Sequence, residues 1–472
     1  MATIKLYNTR SHKIEEFSPI DSRNKFVSMY TCGPTIYNTP HIGNYRAYIF
    51  ADILRRMIES NGYNVKHIIN LTDVDDKTIK KSIELGITLD ELTKPYEQDF
   101  YNGRESLELL PANIYPRATN SIPKMIEIIE LLIQKDFAYK TEDGSVYFKV
   151  SADKNYGILV NVDPNKIKEN AGGRMNNDEY DNENIQDFAL WKAWDVNDGE
   201  NKWESPWGLG RPGWHIECSA MAEEFIGGTM DIHTGGIDNM FPHHENEIAQ
   251  SECAYGHTFA NFFVHCNHLM IDGKKMAKSD GNFLMLNDLK DHGIHPLSYK
   301  YFLYGTHYRS PANMTWDTLN SAQTTLMRMY EKFISIIDLK NTNINSGTII
   351  AEDNAEDYIE KIKNVLANDL NTAEAIAFFI ELFDDIEIPN EIKLITILEI
   401  DKILGLGFNK YYKLDKTIPS DIQKIIDERN IARENKDYTK SDELRESLNN
   451  KGYIVIDTKE KSIFAINPLD SA

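Results

Sequence analysis

The sequence is short of cysteine and has no long apolar run. Its 472 residues include only four cysteines, Cys32, Cys218, Cys253 and Cys266, which are too few and too scattered for a disulfide framework. No apolar segment approaches the roughly 20 residues that a membrane span requires, and "MATIKLYNTRSHK" lacks the apolar core of a signal peptide. We therefore expect a cytoplasmic protein without a membrane partner. In a reducing compartment, cysteines more often serve metals or catalysis than disulfides.

Positive charge is also scarce. The chain carries 51 Lys and Arg residues against 73 Asp and Glu residues, which gives a net charge of −22. This balance argues against a globally basic nucleic-acid-binding protein. Residues 421–461 differ, because 9 basic residues there nearly balance 10 acidic ones. Composition alone therefore leaves RNA binding open, and the length predicts about two to four domains.

The first third of the chain has the pattern of an α/β protein. The apolar, β-branched and aromatic stretch "KFVSMYTCG" predicts a strand that ends at Gly33-Pro34. The segment "YRAYIFADILRRMIESNG" has apolar residues at helical spacing and predicts a helix that begins near Tyr45. A second strand, "YNVKHIINLTD", follows, and the strand, helix and strand together predict a parallel sheet. Ligands of such sheets bind at the carboxyl ends of strands, where Cys32 and Thr72 both fall.

Changes of pattern divide the chain into five parts. An insertion with a helix, a hairpin and a polar run separates two α/β segments, and helices predominate from about residue 296 to about residue 450. We expect the two α/β segments to form a single sheet domain. The predicted parts are 1–111, 112–205, 206–295, 296–345 and 346–472.

Four residues have the chemistry of a mixed zinc site. Cys218 lies near the start of a predicted helix, and His243 and Glu247 are four residues apart, which places both on one face of a helix. With Cys32 at a strand end, they offer two thiolates, an imidazole and a carboxylate, a set that suits zinc better than Mg²⁺ or Ca²⁺. The alternative is that the cysteines only pack in a core and that the helix face is merely polar.

Two further points about this region follow from spacing. Cys253 and Cys266 compete for the role of ligand, and spacing does not exclude them. On a regular helix, His244 and Glu245 would point away from His243, so we expect them to support the ligands and not to face the metal.

Two other segments suit phosphate binding. "PHIGN" precedes the predicted helix, whose N-terminal amides attract anions; Gly43 permits close backbone approach, and His41 can donate to a phosphate oxygen. "IDGKKMAKSDGN" is a glycine-bounded loop in which Lys275 and Lys278 could neutralise polyphosphate charge. The alternative is a solvated lysine-rich surface loop.

Together these segments resemble one enzyme family. "HIGN" and "KMAKS" are similar to the HIGH and KMSKS motifs of class I aminoacyl-tRNA synthetases, in the order and wide separation of that class. "YTCGPTIYNTPHIGN", "NLTDVDDK", "RPGWHIECSAM", "DIHTGG" and "FPHHENEIAQSE" resemble the cysteinyl-tRNA synthetase family in particular. The resemblance runs from about residue 2 to about residue 457.

The resemblance implies a fold and a role for each part of the chain. The expected fold is α/β, with a class I Rossmann-type parallel sheet domain, an inserted α+β connective segment and a C-terminal helical tRNA-binding domain. Residues 1–111 and 206–295 would be the two halves of the catalytic domain, the second with the KMAKS loop. Residues 112–205 would be the connective insertion, 296–345 a helical stem-contact region, and 346–472 a helical bundle with the anticodon-side region.

The implied reaction is the ATP-dependent ligation of L-cysteine to tRNA(Cys) through cysteinyl adenylate. The family selects cysteine by coordinating its thiolate to zinc, because serine differs by one atom and apolar pockets separate such analogues poorly. The resemblance thus implies L-cysteine, ATP and tRNA(Cys) as partners, one zinc ion per chain, and Mg²⁺ beside ATP. We also expect a monomer.

The resemblance also implies a role for each residue of this sequence that matches a site residue of the family. Zinc would be held by Cys32, Cys218, His243 and Glu247. The implied residues for cysteine are Thr72 and Trp214, which would position it and wall its side-chain pocket. The implied catalytic residues are His41, Lys275 and Lys278. The implied ATP-binding residues are His41, Gly43, Asn44, Gly235, Gly236, Asp238 and Lys278.

The sequence departs from the family pattern in two motif positions. Asn44 stands where the family usually has histidine, although an amide can still donate a hydrogen bond. Ala277 replaces a serine of KMSKS.

The C-terminal tail has basic residues at helical spacing. Arg429, Arg433, Lys436 and Lys440 could contact RNA phosphates, or they could form ion pairs on a solvated helix face.

Two alternative functions are a cysteine ligase that acts on an amino sugar with the same motifs, and a catalytically silent zinc protein that binds RNA or senses thiols. The long helical tail argues against the first, and intact HIGN and KMAKS argue against the second.

Overall fold

A computed structural model describes most of the 472 residues. The described segments are 2–23, 25–160, 187–276, 282–338, 353–458 and 461–470. Among these residues no helix is both long enough and apolar enough to cross a membrane.

The strands form small sheets of two to four members. They are β1 (Lys5–Asn8), β2 (Lys13–Glu16), β3 (Phe26–Thr31), β4 (Asn64–Ile69), β5 (Ala138–Lys140), β6 (Val146–Phe148), β7 (Phe188–Ala193), β8 (Gly210–Pro212), β9 (Met230–Gly236), β10 (Ala260–Cys266), β11 (Leu269–Ile271), β12 (Lys274–Lys275), β13 (Ala312–Met314), β14 (Tyr453–Asp457) and β15 (Ser462–Ile466).

The α-helices are concentrated in the second half of the chain. They are α1 (Ile42–Ser60), α2 (Asp76–Leu85), α3 (Leu89–Ser106), α4 (Ile122–Gln134), α5 (Trp214–Phe225), α6 (Ile237–Asn239), α7 (Glu245–Tyr255), α8 (Leu286–Asp291), α9 (Pro296–Tyr304), α10 (Trp316–Asp338), α11 (Asp353–Ala367), α12 (Thr372–Asp384), α13 (Asn390–Leu404), α14 (Phe408–Lys413), α15 (Ser420–Glu434) and α16 (Tyr438–Asn449).

A four-stranded parallel sheet in the order β10-β9-β3-β4 lies at the centre of the protein. Two strands come from residues 1–111 and two from residues 206–295, so the predicted parallel sheet and its assembly from two chain segments are confirmed. The strands are buried and rich in β-branched and aromatic residues, as expected where both faces of a sheet are covered. This arrangement brings the carboxyl ends of distant segments together.

Helix α1 begins earlier than its sequence pattern predicts. It starts at Ile42, three residues before Tyr45, because His41 caps it. Nδ1 of His41 accepts from the Asn44 N–H at 3.1 Å, and Oδ1 of Asn44 accepts from the His41 N–H at 3.0 Å, which satisfies two backbone donors of the first turn. Gly43 and Asn44 therefore lie in the first turn of the helix and not in the preceding loop.

The insertion forms its own antiparallel sheet, in the order β5-β6-β7-β8. The predicted hairpin is β5 and β6, while the polar run predicted near residues 170–187 lies almost entirely outside the described residues. The last strand of this sheet, β8, lies beyond residue 205. The Glu245 carboxylate accepts from the N–H groups of residues 157–159 at 2.8–3.0 Å and so ties the insertion to α7. The five-part division of the chain stays a prediction.

The predicted helical C-terminal region is confirmed, and it ends in the hairpin β14–β15. Helix α15 stops at Glu434, and Lys436 has a left-handed φ of 58°, so the basic residues of the tail do not lie on one continuous helix. The Arg429 side chain is only 1% exposed and contacts Asp457, which also pairs with Arg433 at 3.0 Å. Arg429 thus neither contacts phosphates nor lies on a solvated face; it joins α15 to the hairpin.

A buried ionic cluster joins α1 to the C-terminal helices. Asp52 of α1 contacts Arg56 at 2.8 Å and Lys300 of α9 at 3.1 Å, and all three side chains are at least 90% buried. Arg56 also donates to the carbonyl of Lys402 in α13 at 2.8 Å. Burial alone would raise the pKa of Asp52, but the two cations lower it to about 2; burial lowers the pKa of Lys300 to about 8.

We predict that Asp52→Asn lowers the free energy of unfolding by about 3–5 kcal/mol, because it leaves two buried cations without their carboxylate. Urea denaturation measures the effect. Asp357→Asn is the matched control, since Asp357 pairs with Lys361 at an exposed site. If both variants had the same free energy of unfolding, the cluster would not stabilise the packing of α1 against the C-terminal helices.

Candidate metal and nucleotide site

The four predicted metal ligands meet at the carboxyl end of β3. Cys32 follows β3, Cys218 lies in α5, His243 precedes α7, and Glu247 lies within α7. One ligand atom of each lies within 4.8 Å of the others. The two Sγ atoms are 3.8 Å apart, and Oε1 of Glu247 lies 3.6 Å from Sγ of Cys32 and 3.0 Å from Nε2 of His243. All four residues are buried.

The turn after Cys32 is fixed by a close approach of two backbones. A Cβ atom at Gly33 would lie 1.6 Å from the carbonyl oxygen of Asn70, so no other residue fits there. The Gly33 N–H also donates to Oδ1 of Asn70 at 2.8 Å. The end of β3 is therefore locked to the segment after β4, and Cys32 is held in place.

Glu247 is the electrostatic centre of the cluster. Its two oxygens contact Nε2 of His233 at 2.8 Å and Nε2 of His243 at 3.0 Å. Burial alone would raise the pKa of Glu247, but the two imidazoles hold it well below its ordinary value. Burial alone would lower the pKa of His243, yet Glu247 and Cys218 raise it to about 10.

The pKa values of the two cysteines of the cluster shift in opposite directions. A hydrogen bond from Cys32 lowers the pKa of Cys218 to about 6, whereas burial raises the pKa of Cys32 well above its ordinary value. The cluster therefore favours an ionised carboxylate and one thiolate, whereas the His243 imidazole is protonated and would release its proton when it binds a metal ion.

A second group of possible ligands shares Cys32 and Glu247 and adds His233 and His244. Nε2 of His244 lies 3.2 Å from Sγ of Cys32, so the expected direction of His244, away from His243, is wrong, whereas its contact with a predicted ligand agrees with the expected supporting position. The physical reason is that Phe241 is extended, at φ −139° and ψ 134°, and the residues before α7 do not follow a regular helix. Glu245 does point elsewhere, toward the insertion.

Sequence reasoning missed the histidines behind this group. Nδ1 of His244 lies 2.8 Å from Nε2 of His265, and Nδ1 of His265 lies 2.8 Å from Oγ1 of Thr9, which makes a buried hydrogen-bonded chain. His233 lies in β9, which pairs with β3, and His265 lies in β10, which pairs with β9. Because β9 and β10 are adjacent parallel strands, the presence of a histidine on each could have predicted that His233 and His265 lie close together. Cys253 and Cys266 belong to neither group.

The donor set fits zinc. Two sulfur atoms, one imidazole nitrogen and one carboxylate oxygen lie within 4.8 Å of one another. Soft sulfur and imidazole donors suit zinc and disfavour Mg²⁺ and Ca²⁺. Histidines hydrogen-bonded behind the ligands are typical of such sites.

The residues predicted to bind the amino acid border this cluster. Trp214 is the first residue of α5, is 40% exposed, and its ring centroid lies 4.5 Å from that of His243. Thr72 is buried, and its hydroxyl donates to Glu217 at 2.9 Å and accepts from Asn70 Nδ2 at 3.2 Å. Burial raises the pKa of Glu217 well above its ordinary value.

The HIGN segment forms the start of α1 within the same region. Since Nδ1 of His41 accepts from Asn44, the neutral ring carries its proton on Nε2, and the ring lies edge-on to Phe283 with centroids 4.7 Å apart. A Cβ atom at Gly43 would lie 2.8 Å from Cε of Met276, so Met276, the residue after β12, lies close to the start of the helix.

The predicted adenosine and phosphate residues are in contact with each other. Gly235 and Gly236 end β9, Asp238 follows in α6, and Oδ1 of Asp238 pairs with Nζ of Lys275 at 2.8 Å. Both side chains of this pair are about 60% exposed. Lys278 lies outside the described residues.

The comparisons with known proteins cover nearly the whole chain. The family model described as tRNA synthetases class I (C) catalytic domain matches residues 17–324, and the cysteinyl-tRNA ligase anticodon binding domain matches residues 415–462. A cysteine–tRNA ligase of Brachyspira hyodysenteriae is 44% identical over 98% of both chains, and one of Protochlamydia amoebophila is 42% identical over 97% of this chain and 96% of its own.

The chain belongs to the cysteine–tRNA ligase family. The resemblance and the enzyme class expected from the motifs are thereby confirmed. Among solved structures, a Mycobacterium tuberculosis methionyl-tRNA synthetase in complex with methionyl-adenylate superposes with a TM-score of 0.55 at 14% identity, over 82% of this chain and 92% of that one. That likeness shows the fold, and with the parallel sheet and C-terminal helices it confirms the predicted class I architecture of a cysteine–tRNA ligase.

We predict that Cys218→Ser weakens zinc binding by about 100-fold or more, because a hard hydroxyl replaces a soft thiolate ligand. Zinc content after dialysis against a competing chelator measures the effect. Cys253→Ser is the matched control, since Cys253 is half-buried and outside both groups. Full zinc retention by Cys218→Ser would remove this residue from the ligand set.

Proposed function

We propose that this protein ligates L-cysteine to tRNA(Cys) in two steps. The carboxylate of cysteine attacks the α-phosphorus of ATP, which gives cysteinyl adenylate and releases pyrophosphate; the terminal ribose hydroxyl of tRNA(Cys) then attacks the acyl carbon and releases AMP. The observation that carries the proposal is the buried convergence of Cys32, Cys218, His243 and Glu247 at the end of β3, nine residues before the His41 cap of α1.

Selection of cysteine is assigned to that convergence. Cys32, Cys218, His243 and Glu247 would hold the zinc ion. Zinc bound there would supply a soft Lewis acid that prefers the thiolate of cysteine to the hydroxyl of serine. The difference is chemical and not steric, so it separates two substrates that differ by one atom better than an apolar pocket does.

Activation of the carboxylate is assigned to the start of α1 and the KMAKS segment. The Nε2–H group of His41 would donate to the α-phosphate, and the partial positive charge at the N-terminus of α1 would attract it. Lys278 would stabilise the charge that develops there, and Mg²⁺ would accompany the ATP phosphates. Lys275 would exchange its exposed carboxylate partner, Asp238, for the β- and γ-phosphates, a change of small cost at an exposed pair.

The remaining ATP and tRNA contacts are assigned by position. Gly43, Gly235, Gly236 and Asp238 would surround the adenosine, and Asn44 would contribute its amide although it also caps α1. The family model over residues 415–462 supports tRNA binding by α15 and α16, and it disfavours transfer to an amino sugar. A monomer in the cytoplasm stays the expectation.

Two assays on the full-length protein test the function. Cysteine-dependent exchange of pyrophosphate into ATP is expected, with serine giving no exchange above background, and radioactive cysteine should become acid-precipitable only with tRNA(Cys). Exchange without transfer to tRNA would favour the amino-sugar ligase, and the absence of both reactions would favour a silent zinc protein.

We predict that Lys278→Ala slows cysteine-dependent pyrophosphate exchange by about 100- to 1,000-fold, because it removes a cation that stabilises transition-state charge. Zinc content should not change. Lys274→Ala is the control in the same segment and should keep most of the activity, since Lys274 lies in β12 with its side chain exposed. A Lys278→Ala rate equal to that of Lys274→Ala would contradict the catalytic role.

A further inference from the structure

Glu217 is a buried carboxylate with one unused oxygen. It lies in the first turn of α5, next to Cys218, and the residue is 1% exposed. Oε2 accepts from the Thr72 hydroxyl at 2.9 Å, whereas Oε1 has no hydrogen-bond partner among the described residues. Buried polar atoms are nearly always paired, so an unpaired carboxylate oxygen on the residue next to Cys218 calls for a ligand.

The other carboxylates near this point are occupied. Asp73 accepts from Arg117 at 3.0 Å and from Thr119 at 2.9 Å, and Asp75 caps α2 by accepting from Thr78 at 2.6 Å. Glu247 contacts two histidines. Among these carboxylates of the described structure, Glu217 is the one with a buried oxygen that lacks a hydrogen-bond partner.

Thr72 has matching capacity. Its hydroxyl gives its proton to Glu217 and accepts once, from Asn70 Nδ2 at 3.2 Å. A hydroxyl oxygen has two lone pairs, so one remains for another donor. Oε1 of Glu217 and Oγ1 of Thr72 thus both call for a donor, and a positive one is favoured by the carboxylate.

The proposed substrate carries such a donor. In L-cysteine the ammonium nitrogen is three bonds from the sulfur, so a thiolate held at the Cys218 cluster places the ammonium within reach of the adjacent residue. A buried ammonium needs an anionic partner, which the histidine-bound Glu247 does not provide.

We propose that Glu217 binds the α-ammonium group of L-cysteine, with Thr72 as the second acceptor. The inference rests on the proposed function and names the group that recognises the amino end of the substrate. Glu217 then orients the cysteine carboxylate toward the His41 end of α1, and it discriminates against thiols that lack an amine.

The test compares L-cysteine with 3-mercaptopropionate, which keeps the thiol and the carboxylate but lacks the ammonium. With Glu217→Gln, the KM for cysteine in pyrophosphate exchange should rise about 10- to 100-fold, the loss expected for a hydrogen bond to a charged group. The Ki of 3-mercaptopropionate against cysteine should change less than about 3-fold, and zinc content should equal that of the wild type.

Glu223→Gln is the matched control, because Glu223 lies on α5 away from the cluster and accepts only from the Gly228 N–H at 3.3 Å among the described contacts. It should alter neither constant. An unchanged KM in Glu217→Gln would overturn the inference, and so would equal losses for both thiols or a loss of zinc, which indicate a structural role. Absence of exchange in the wild-type protein would instead overturn the proposed function.

Discussion

A carboxylate held between two histidines inside the protein is the interaction on which the site depends. Glu247 is fully buried, and its contacts with His233 and His243 offset much of the loss of water around its charge. Those contacts fix the start of α7 against β9 and aim the carboxylate at Cys32 and Cys218. Removal of either imidazole would leave the buried anion with one charged partner fewer, so the geometry of the candidate metal site depends on these two contacts.

The parallel sheet brings the candidate metal ligands and the start of α1 to the same end of the protein core. Cys32 stands at the end of β3, where the close approach at Gly33 fixes its direction, and nine residues later His41 caps α1. In the proposed function, thiol recognition at Cys32 and phosphate binding at His41 would therefore use the same end of one sheet, and the hydrogen bond from Thr72 to Glu217 joins the segment after β4 to the helix that carries Cys218. The short loop would then set the distance between selection and activation of the amino acid.

Much of this was open to prediction because strand and helix periods depend on local sequence. The apolar patterns predicted β3, α1, β4 and the C-terminal helices, and the motifs predicted which four side chains would meet. The errors lie where local geometry departs from regular structure. The cap by His41 moved the start of α1, and extended Phe241 turned His244 toward Cys32. Arg429 was misjudged because its partner, Asp457, lies on a hairpin that no helical spacing reveals.

Zinc X-ray absorption spectroscopy tests most directly whether this site selects cysteine through sulfur. The ligand set of Cys32, Cys218, His243 and Glu247 predicts two sulfur neighbours per zinc in the protein alone. Addition of L-cysteine should raise the number to three, and addition of L-serine should leave it at two. Two sulfur neighbours with and without cysteine would contradict the account, because the substrate thiolate would not then bind the metal.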